Sequence, residues 1–353
     1  MMKNVIRKAG GIMMVLVFMT GNLQANKQVE KVIADQRFEV NQDAVVGIDH
    51  KFGDVTLKNW NENTVWVNVT AVMKEMSEEK AARLLEKIDV KVEGDREGVY
   101  ITSNLSYKLF DNGKNKLSVD INVYMPKSLK LDMEHMFGNA FVESVEGHAK
   151  ISSQYGSIEI VALLGSDNEL EIGFSDAEVK YIARGEVDVN YAEVDIKKAE
   201  NLEINSEFSN VEIGQVDQLE IENEGGQISI GTVNVIEIST KLTDFEIRSL
   251  QKALEAETEY GNLNVKGISR EFESVSIDNN FGSVNLDFDS GTSFNLNADL
   301  EFCSLEYPEN MATFTKKVST TTDSMYEGVF GENKNPKATV KINSGFGGVA
   351  IGY

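Results

Sequence analysis

Cysteine is almost missing from this sequence. Cys303 stands alone among 353 residues, so no intramolecular disulfide can staple the chain. Proline is nearly as scarce, with Pro126, Pro308 and Pro336. A strand interior rejects proline, which removes a ladder donor, so its scarcity leaves long stretches open to sheet formation. Histidine appears as His50, His135 and His148, at spacings that match no zinc-ligand pattern. Basic residues are outnumbered, 34 against 57 acidic, for a formal charge of −23. Such a chain repels phosphate backbones, which excludes nucleic acid as a partner. The same charge keeps it soluble and opposes self-association. Long apolar runs are missing too. The best of them, Ile12–Thr20 (IMMVLVFMT), falls short of the roughly 20 residues that a membrane span needs.

That run sits close to the N-terminus. Lys3, Arg7 and Lys8 precede it, and small or polar residues follow, with Ala25 in place as the last residue before cleavage. This is the layout of an export signal over residues 1–25. No cysteine follows the run, so a lipoprotein anchor is not expected, and no span is expected in the mature chain. An exported protein without disulfides must be held by packing and hydrogen bonds. Apolar content of 41% suffices for a core, and the length allows two or three ordinary domains or one long repeat array.

A repeat is visible. Tyr191-Ala-Glu-Val-Asp-Ile196 returns 17 residues later as Phe208-Ser-Asn-Val-Glu-Ile213. The phrase also occurs at Phe137–Val142, Tyr155–Ile160, Phe174–Val179, Tyr260–Val265, Phe281–Leu286 and Phe302–Tyr307. Gly225–Ile230 and Leu242–Ile247 keep it without the aromatic, and outlying copies sit at Phe52–Leu57 and Phe346–Ile351. A second alternating strand precedes the phrase, as in Leu202-Glu-Ile204, Leu219-Glu-Ile221 and Ile236-Glu-Ile238. Period-two alternation marks one buried and one wet face. A unit this small cannot bury its own apolar face, whereas stacked units can. The expected fold is therefore all-β: a parallel β-solenoid (β-helix) of short 17–21-residue coils, stacked about 4.8 Å apart. Ile158, Ile160, Val194, Ile196, Val211 and Ile213 should point inward, each contributing about 1.5–3 kcal/mol by burial. Tyr155, Phe174, Tyr191 and Phe208 should stack as a ladder near one corner. An antiparallel sandwich or meander is the competing arrangement, and near-constant register over ten units favours the solenoid. The repeat does not reveal handedness.

Residues 26–134 read as a separate β-rich entry region. Strands are expected at Val45–Ile48, Val55–Leu57, Val65–Val72, Ile88–Val92, Val99–Ser103 and Leu117–Tyr124. Between them MSEEKAARLLEKI predicts one amphipathic helix over Glu78–Lys87. Ser77 caps it, acidic residues occupy its first turn, and Leu84, Leu85 and Ile88 form an apolar stripe. Residues 135–307 carry the solenoid repeats. Open solenoid ends expose unpaired edges. The entry region should cover one end, and a polar loop with closing strands, residues 308–353, the other, with a final strand at Ala338–Ile342.

With the phrase [FY]-G-x-[VI]-x-[IL], the exported N-terminus and the strand–helix–strand entry region in view, the chain resembles the DUF4097-type β-strand-repeat proteins, a candidate-adhesin group common in Bacteroidota. The similarity covers most of the mature chain, with Phe52-Gly-Asp-Val-Thr-Leu57 and the Val123-Tyr-Met-Pro126 approach among its marks. It implies a β-solenoid envelope protein and carries no catalytic residues.

Candidate chemistry is sparse. A polysaccharide-acting β-helix would concentrate carboxylates and bases in one coil, and none stands out. The histidines read as lone polar or corner residues, and Cys303 as a buried, inert thiol in the small-residue slot of its coil. The outward position between the two aliphatics is the richest. It holds Glu159, Glu178, Asp195, Glu212, Ser229, Glu246, Asn264, Asn285 and Glu306. Stacked, these form an acidic ladder at about 5 Å intervals. It reads first as a solvated face and second as a surface that gathers Ca²⁺ or a basic partner. Asp323-Ser324-Met325 matches a short O-glycosylation pattern of Bacteroidota and is expected in a loop. No cofactor is expected. The resulting expectation is an exported, non-enzymatic envelope protein in the periplasm or at the cell surface, adhesin-like or a binding scaffold for an envelope protein or glycan. A periplasmic structural or signalling component without a ligand is the alternative.

Overall fold

The computed structural model describes residues 28–110 and 116–353, so the export signal expected over residues 1–25 lies outside the described residues. The chain packs as two compact units, one ending at Phe141 and the other running from Val142 to Tyr353.

The first unit opens with β1 (Gln28–Glu39), β2 (Val45–Lys51), β3 (Val55–Asn59) and β4 (Thr64–Lys74). After α1 (Glu78–Leu85) come β5 (Val90–Gly94), β6 (Gly98–Ser103), β7 (Lys116–Met125) and β8 (Lys130–Met136). On one side β2 lies between β6 and β8, parallel to both, with β5 antiparallel along β6. On the other side β3 runs parallel to β7, β7 antiparallel to β4, and β4 antiparallel to β1. Val46, Ile48, Val55, Leu57, Val67 and Ile121 fill the space between. The alternation in β2, β3, β4 and β7 predicted them. β1 was not expected, because its residues are mostly exposed and carry no apolar face; it holds its place by backbone pairing along an edge. Helix α1 begins where the cap predicts, with Lys80 N donating to Ser77 Oγ at 3.3 Å, and it buries Ala81 and Leu84. It stops at Leu85, two residues before the expected end.

The second unit is a parallel β-solenoid. Its first strand series places Ala149–Gln154 on Asn168–Gly173, and these on Glu186–Asn190 and then Glu203–Glu207, all parallel and in register. The second series stacks Ser157–Ile160 on Asp176–Val179 on Glu193–Ile196. Leu163 pairs with Ile182 as an inward point after the second strand. From Glu193 to Glu259 the ladder pairing continues through successive coils, turning at left-handed Phe208, Gly225, Gly226 and Leu242. Val187, Ile204, Val194, Val211 and Ile213 are buried, which places the expected aliphatic positions in the core. Ala177 pairs in parallel with Val194, and Asn210 N donates to Ala192 O at 3.0 Å in the next layer. Coils therefore pile in sequence order here.

That order breaks at the C-terminus, which corrects the expected stacking. Thr339–Gly345 pairs in parallel with Ser274–Asn280 on one side and with Asn295–Glu301 on the other. Likewise Gly348–Gly352 lies between Val284–Phe288 and Ser304–Glu306. The last coil in sequence is thus the penultimate layer. The aromatic corner follows suit: Phe346 stacks on Phe281 at 4.9 Å and on Phe302 at 5.0 Å. Residues expected as a polar loop form a hairpin of Ala312–Ser319 and Asp323–Phe330, with the second arm antiparallel to Phe294–Glu301. Polar residues hide its alternation, but Tyr326 and Phe330 are buried and complete the terminal core. Among the described residues no helix is long and apolar enough to cross a membrane.

Candidate functional site: the corner spine and its flanking columns

Nine residues at the solenoid corner of the second unit hold left-handed φ: Tyr155, Phe174, Tyr191, Phe208, Leu242, Tyr260, Phe281, Phe302 and Phe346; in the first unit Phe52 and Phe137 hold the same φ and stack on each other at 5.0 Å. This region disfavours bulky side chains. The corner tolerates it because one left-handed residue bends the chain while the ladder continues on both flanks. Phe174 N donates to Asn190 O at 3.0 Å, Tyr191 N to Glu207 O at 3.0 Å and Phe281 N to Gly345 O at 2.9 Å. The rings then project outward and stack. Tyr155–Phe174 and Phe174–Tyr191 lie at 5.1 and 5.3 Å, with planes within 6° and 4° of parallel. The expected ladder is present, and it stands in solvent: exposure along the second unit's corner ranges from 41% at Phe281 to 57% at Leu242. At Gly225 (φ +77°) the spine lacks a ring. Phe208 leans into that space, 20° off its Tyr191 neighbour and 2.8 Å from where a Gly225 Cβ would stand.

The acidic ladder of the second strands takes shape as a column. Glu159 pairs in register with Glu178, and Glu178 with Asp195. Lysines two positions on sit beside it. Lys180 donates to Glu159 at 2.5 Å, Lys197 to Asp195, and Lys266 to Glu246 at 2.8 Å, while Arg248 reaches Glu212 at 3.3 Å. Glu306 is set apart from Asn285 by Ala350 of the inserted coil. The column is thus a row of exposed ion pairs, each worth little in stability.

A second acidic column went unread in the sequence. Glu186, Glu203, Glu220, Glu237 and Glu255 line a shallow groove of about 660 Å³ on the first-strand face, with Arg184 at one end. Its signal was present in the Leu-Glu-Ile phrase, whose middle residue recurs at 17-residue intervals from Glu203 to Glu237. Asp188 first, then burial and the charges of Glu203, Glu169 and Asp167, push the Glu186 carboxyl above the usual range. A like charge two residues along the same face of the strand does most of this, and the stacked carboxylates add to it.

His50 and His135 are not corner residues as expected. Both are buried in the core of the first unit, directly paired across β2 and β8, with rings 5.8 Å apart. His50 Nδ1 lies 2.9 Å from Ser103 Oγ. His135 Nε2 donates to the Gly53 carbonyl at 2.8 Å. His50 Nε2 and His135 Nδ1 meet no partner among the described residues. Burial, then the charge of His135, lowers His50 to about 3, and burial lowers His135. His148 is surface-exposed beside Glu169 at 3.9 Å. Cys303 is half-buried rather than buried, since its side chain stands at the corner, where Gly347 N donates to Sγ at 3.0 Å. Ser324 lies at the start of the hairpin's second arm, its Oγ 2.9 Å from Ser319 Oγ, and not in an open loop. Among the described residues no three His, Cys, Asp or Glu side chains converge to hold a metal ion.

No curated protein matches this sequence. Three solved structures align over nearly their whole length. A candidate cell adhesion protein from Clostridium sporogenes is 10% identical, with 93% of this chain and 99% of that one covered, at a TM-score of 0.19. A candidate adhesin from Bacteroides fragilis is 10% identical, covering 94% and 100%, at 0.31. A candidate lipid binding protein from Parabacteroides distasonis is 12% identical, covering 93% and 97%, at 0.32. The family model described as Toastrack DUF4097 matches residues 46–351, spanning the β2–β3 copy of the phrase, the corner spine and the inserted last coil, and the chain belongs to that family.

Proposed function

We propose that this chain is an exported, non-enzymatic protein of the bacterial cell envelope that works as an adhesin-like binding scaffold, in the periplasm or at the cell surface. In this reading residues 1–25 direct export and 26–134 form the entry region. Residues 135–307 present the repeated faces, and 308–353 supply the hairpin beside the last of them and the coil inserted before it. The observation that supports it is the exposed spine. A fold that needed its aromatics only for stability would bury them, yet the rings of Tyr155, Phe174, Tyr191 and Phe208 stand about half in solvent. Stacked rings at fixed spacing offer a rigid, preorganised contact row with little entropy left to lose on binding. The acidic columns on either side favour a neutral or basic partner, a glycan or a basic protein face, over any polyanion.

The test is capture. The mature protein is applied to a glycan array and to envelope extracts, beside a Phe174→Ser/Tyr191→Ser variant. Retention of a ligand by the native spine and its loss from the variant is the expected result. Equal retention by both would move the binding face away from the spine, and no retention by either would leave the ligand-free structural role. A calcium titration checks the ladder of Glu159, Glu178, Asp195, Glu212, Glu246 and Glu306: a rise in melting temperature at millimolar calcium would add a divalent cation to its partners.

A further inference from the structure

The inserted last coil has a physical consequence. The two layers that flank it, Ser274–Phe288 and Phe294–Glu306, both precede it in sequence, so neither can complete its pairing until the C-terminus arrives. Until then a slot one strand wide stands open, with unpaired parallel edges on both walls. Seven registered pairs close each wall of the first strand, Ser274–Asn280 on one side and Asn295–Glu301 on the other. Val340, Ile342, Val349 and Ile351 fill the core of that layer. Polar side chains fix its register: Asn279 Nδ2 donates to Ser344 Oγ at 3.0 Å, and Gly347 N to Cys303 Sγ.

The incoming segment also differs from its host in charge. Residues 337–353 carry Lys337 and Lys341 and no Asp or Glu, in a chain of net charge −23. Asp278 and Asp299 stand in register on either side of Asn343. The seven-residue link Gly331–Lys337 connects the segment to the hairpin. It must pass round the end of Phe294–Glu301, because that strand lies between Asp323–Phe330 and Thr339–Gly345.

We propose that residues 338–353 are an exchangeable strand pair and that the slot between the last two flanking coils accepts this segment from a second copy of the chain, linking copies end to end or in pairs. The ladder pairs, the core side chains and the polar register contacts of residues 338–353 would be the same whichever chain supplied them; the link adds Pro336 O, which accepts from Asn295 Nδ2 at 2.8 Å. Exchange of an identical element is a low-cost route to assembly because no new interface has to be invented. The acidic bodies repel one another, whereas residues 338–353 carry Lys341 and no Asp or Glu side chain, so this contact adds no carboxylate side chain to the interface as random edge pairing would. The adhesion reading does not depend on it.

Two experiments decide it. Deletion of Glu332–Lys337 leaves Gly331 alone to bridge Phe330 and Ala338. Three Cα steps to Thr339 reach about 10–11 Å, while the two strands lie about 9.6 Å apart with a third strand to be rounded. The segment then cannot enter its own slot. Light scattering should find dimers or longer species with the native circular dichroism spectrum retained; a folded monomer would overturn the proposal. In the second experiment a labelled peptide of residues 338–353 is added in excess while the full-length protein refolds from urea. The peptide should co-elute with the protein, and an Ile342→Lys peptide should be incorporated at least tenfold less. Absence of the native peptide from the refolded protein, or equal uptake of both peptides, counts against the slot even if the deletion variant fails to fold.

Discussion

At the scale of the residue, the corner sets two opposing effects against each other. A Cβ held in the left-handed region is disfavoured by roughly 1–2 kcal/mol, while each stacked aromatic pair returns about 0.5–1.5 kcal/mol. Phe174, at φ 51° with a ring on either side, sits near balance. Phe174→Ala keeps the strain and loses both stacks, so it should cost about 1–3 kcal/mol in urea unfolding. Phe174→Gly loses the stacks but sheds the strain, and should retain about 1 kcal/mol more than alanine. An alanine variant as stable as the glycine one would refute strain at this corner. The buried histidines make the second prediction. His50 is held neutral, at about 3, against an unfolded value near 6.5. Between these values the unfolded chain binds a proton that the folded chain refuses, so stability is highest above pH 6.5 and falls as pH drops toward 3. His135, also lowered, adds to the slope. Urea midpoints between pH 7 and pH 4 should fall, and fall less in His50→Asn; a midpoint independent of pH would rule out neutral burial.

At the scale of the element, the stack is limited by how closely corners approach. Gly261, Gly282 and Gly347 follow one another along the spine, and a Cβ on Gly282 would stand 1.7 Å from the Gly261 carbonyl oxygen. No rotamer relieves a clash with backbone, so the coil must shift. Gly282→Ala should cost about 1–3 kcal/mol, read as a lower thermal midpoint, whereas Ser209→Gly, at a coil that already accommodates a Cβ, should change little beyond the lost hydroxyl contacts. Equal losses from the two would mean that coil spacing is looser than the backbone geometry requires. The same closeness explains why the small second position of the phrase was readable beforehand and its cause was not. The sequence shows a small residue, mostly Gly, Ala or Ser and once Cys303, after each aromatic of the phrase, but only stacked backbones reveal the carbonyl that leaves no room for a Cβ at Gly261, Gly282 and Gly347.

At the scale of the whole molecule, charge is the governing term. Columns such as Glu186, Glu203 and Glu220 line up like charges across successive strands, and the chain carries −23 overall. Salt screens exposed charges over about 10 Å at 0.1 M. Raising sodium chloride from 0.05 to 0.5 M should therefore raise the urea midpoint, and Glu186→Gln should raise it at low salt and shrink the salt effect. A midpoint that falls with salt would mean that the ion pairs of Lys180, Lys266 and Arg248 outweigh the repulsion. The 17-residue phrase by itself determined the coil, the inward aliphatics and the aromatic ladder, because alternation and period are local and each coil contacts mainly its neighbours. The tertiary structure alone decided which layer lies next to which. The C-terminal phrase at Phe346 is as good a match as Phe281 or Phe302, and nothing local ranks it between them. That ranking is seen only in the pairing of Thr339–Gly345 between Ser274–Asn280 and Asn295–Glu301. The burial of His50 and His135 was likewise decided in three dimensions, since a polar residue at an inward alternation point goes into the core when the strands on both sides hold it there.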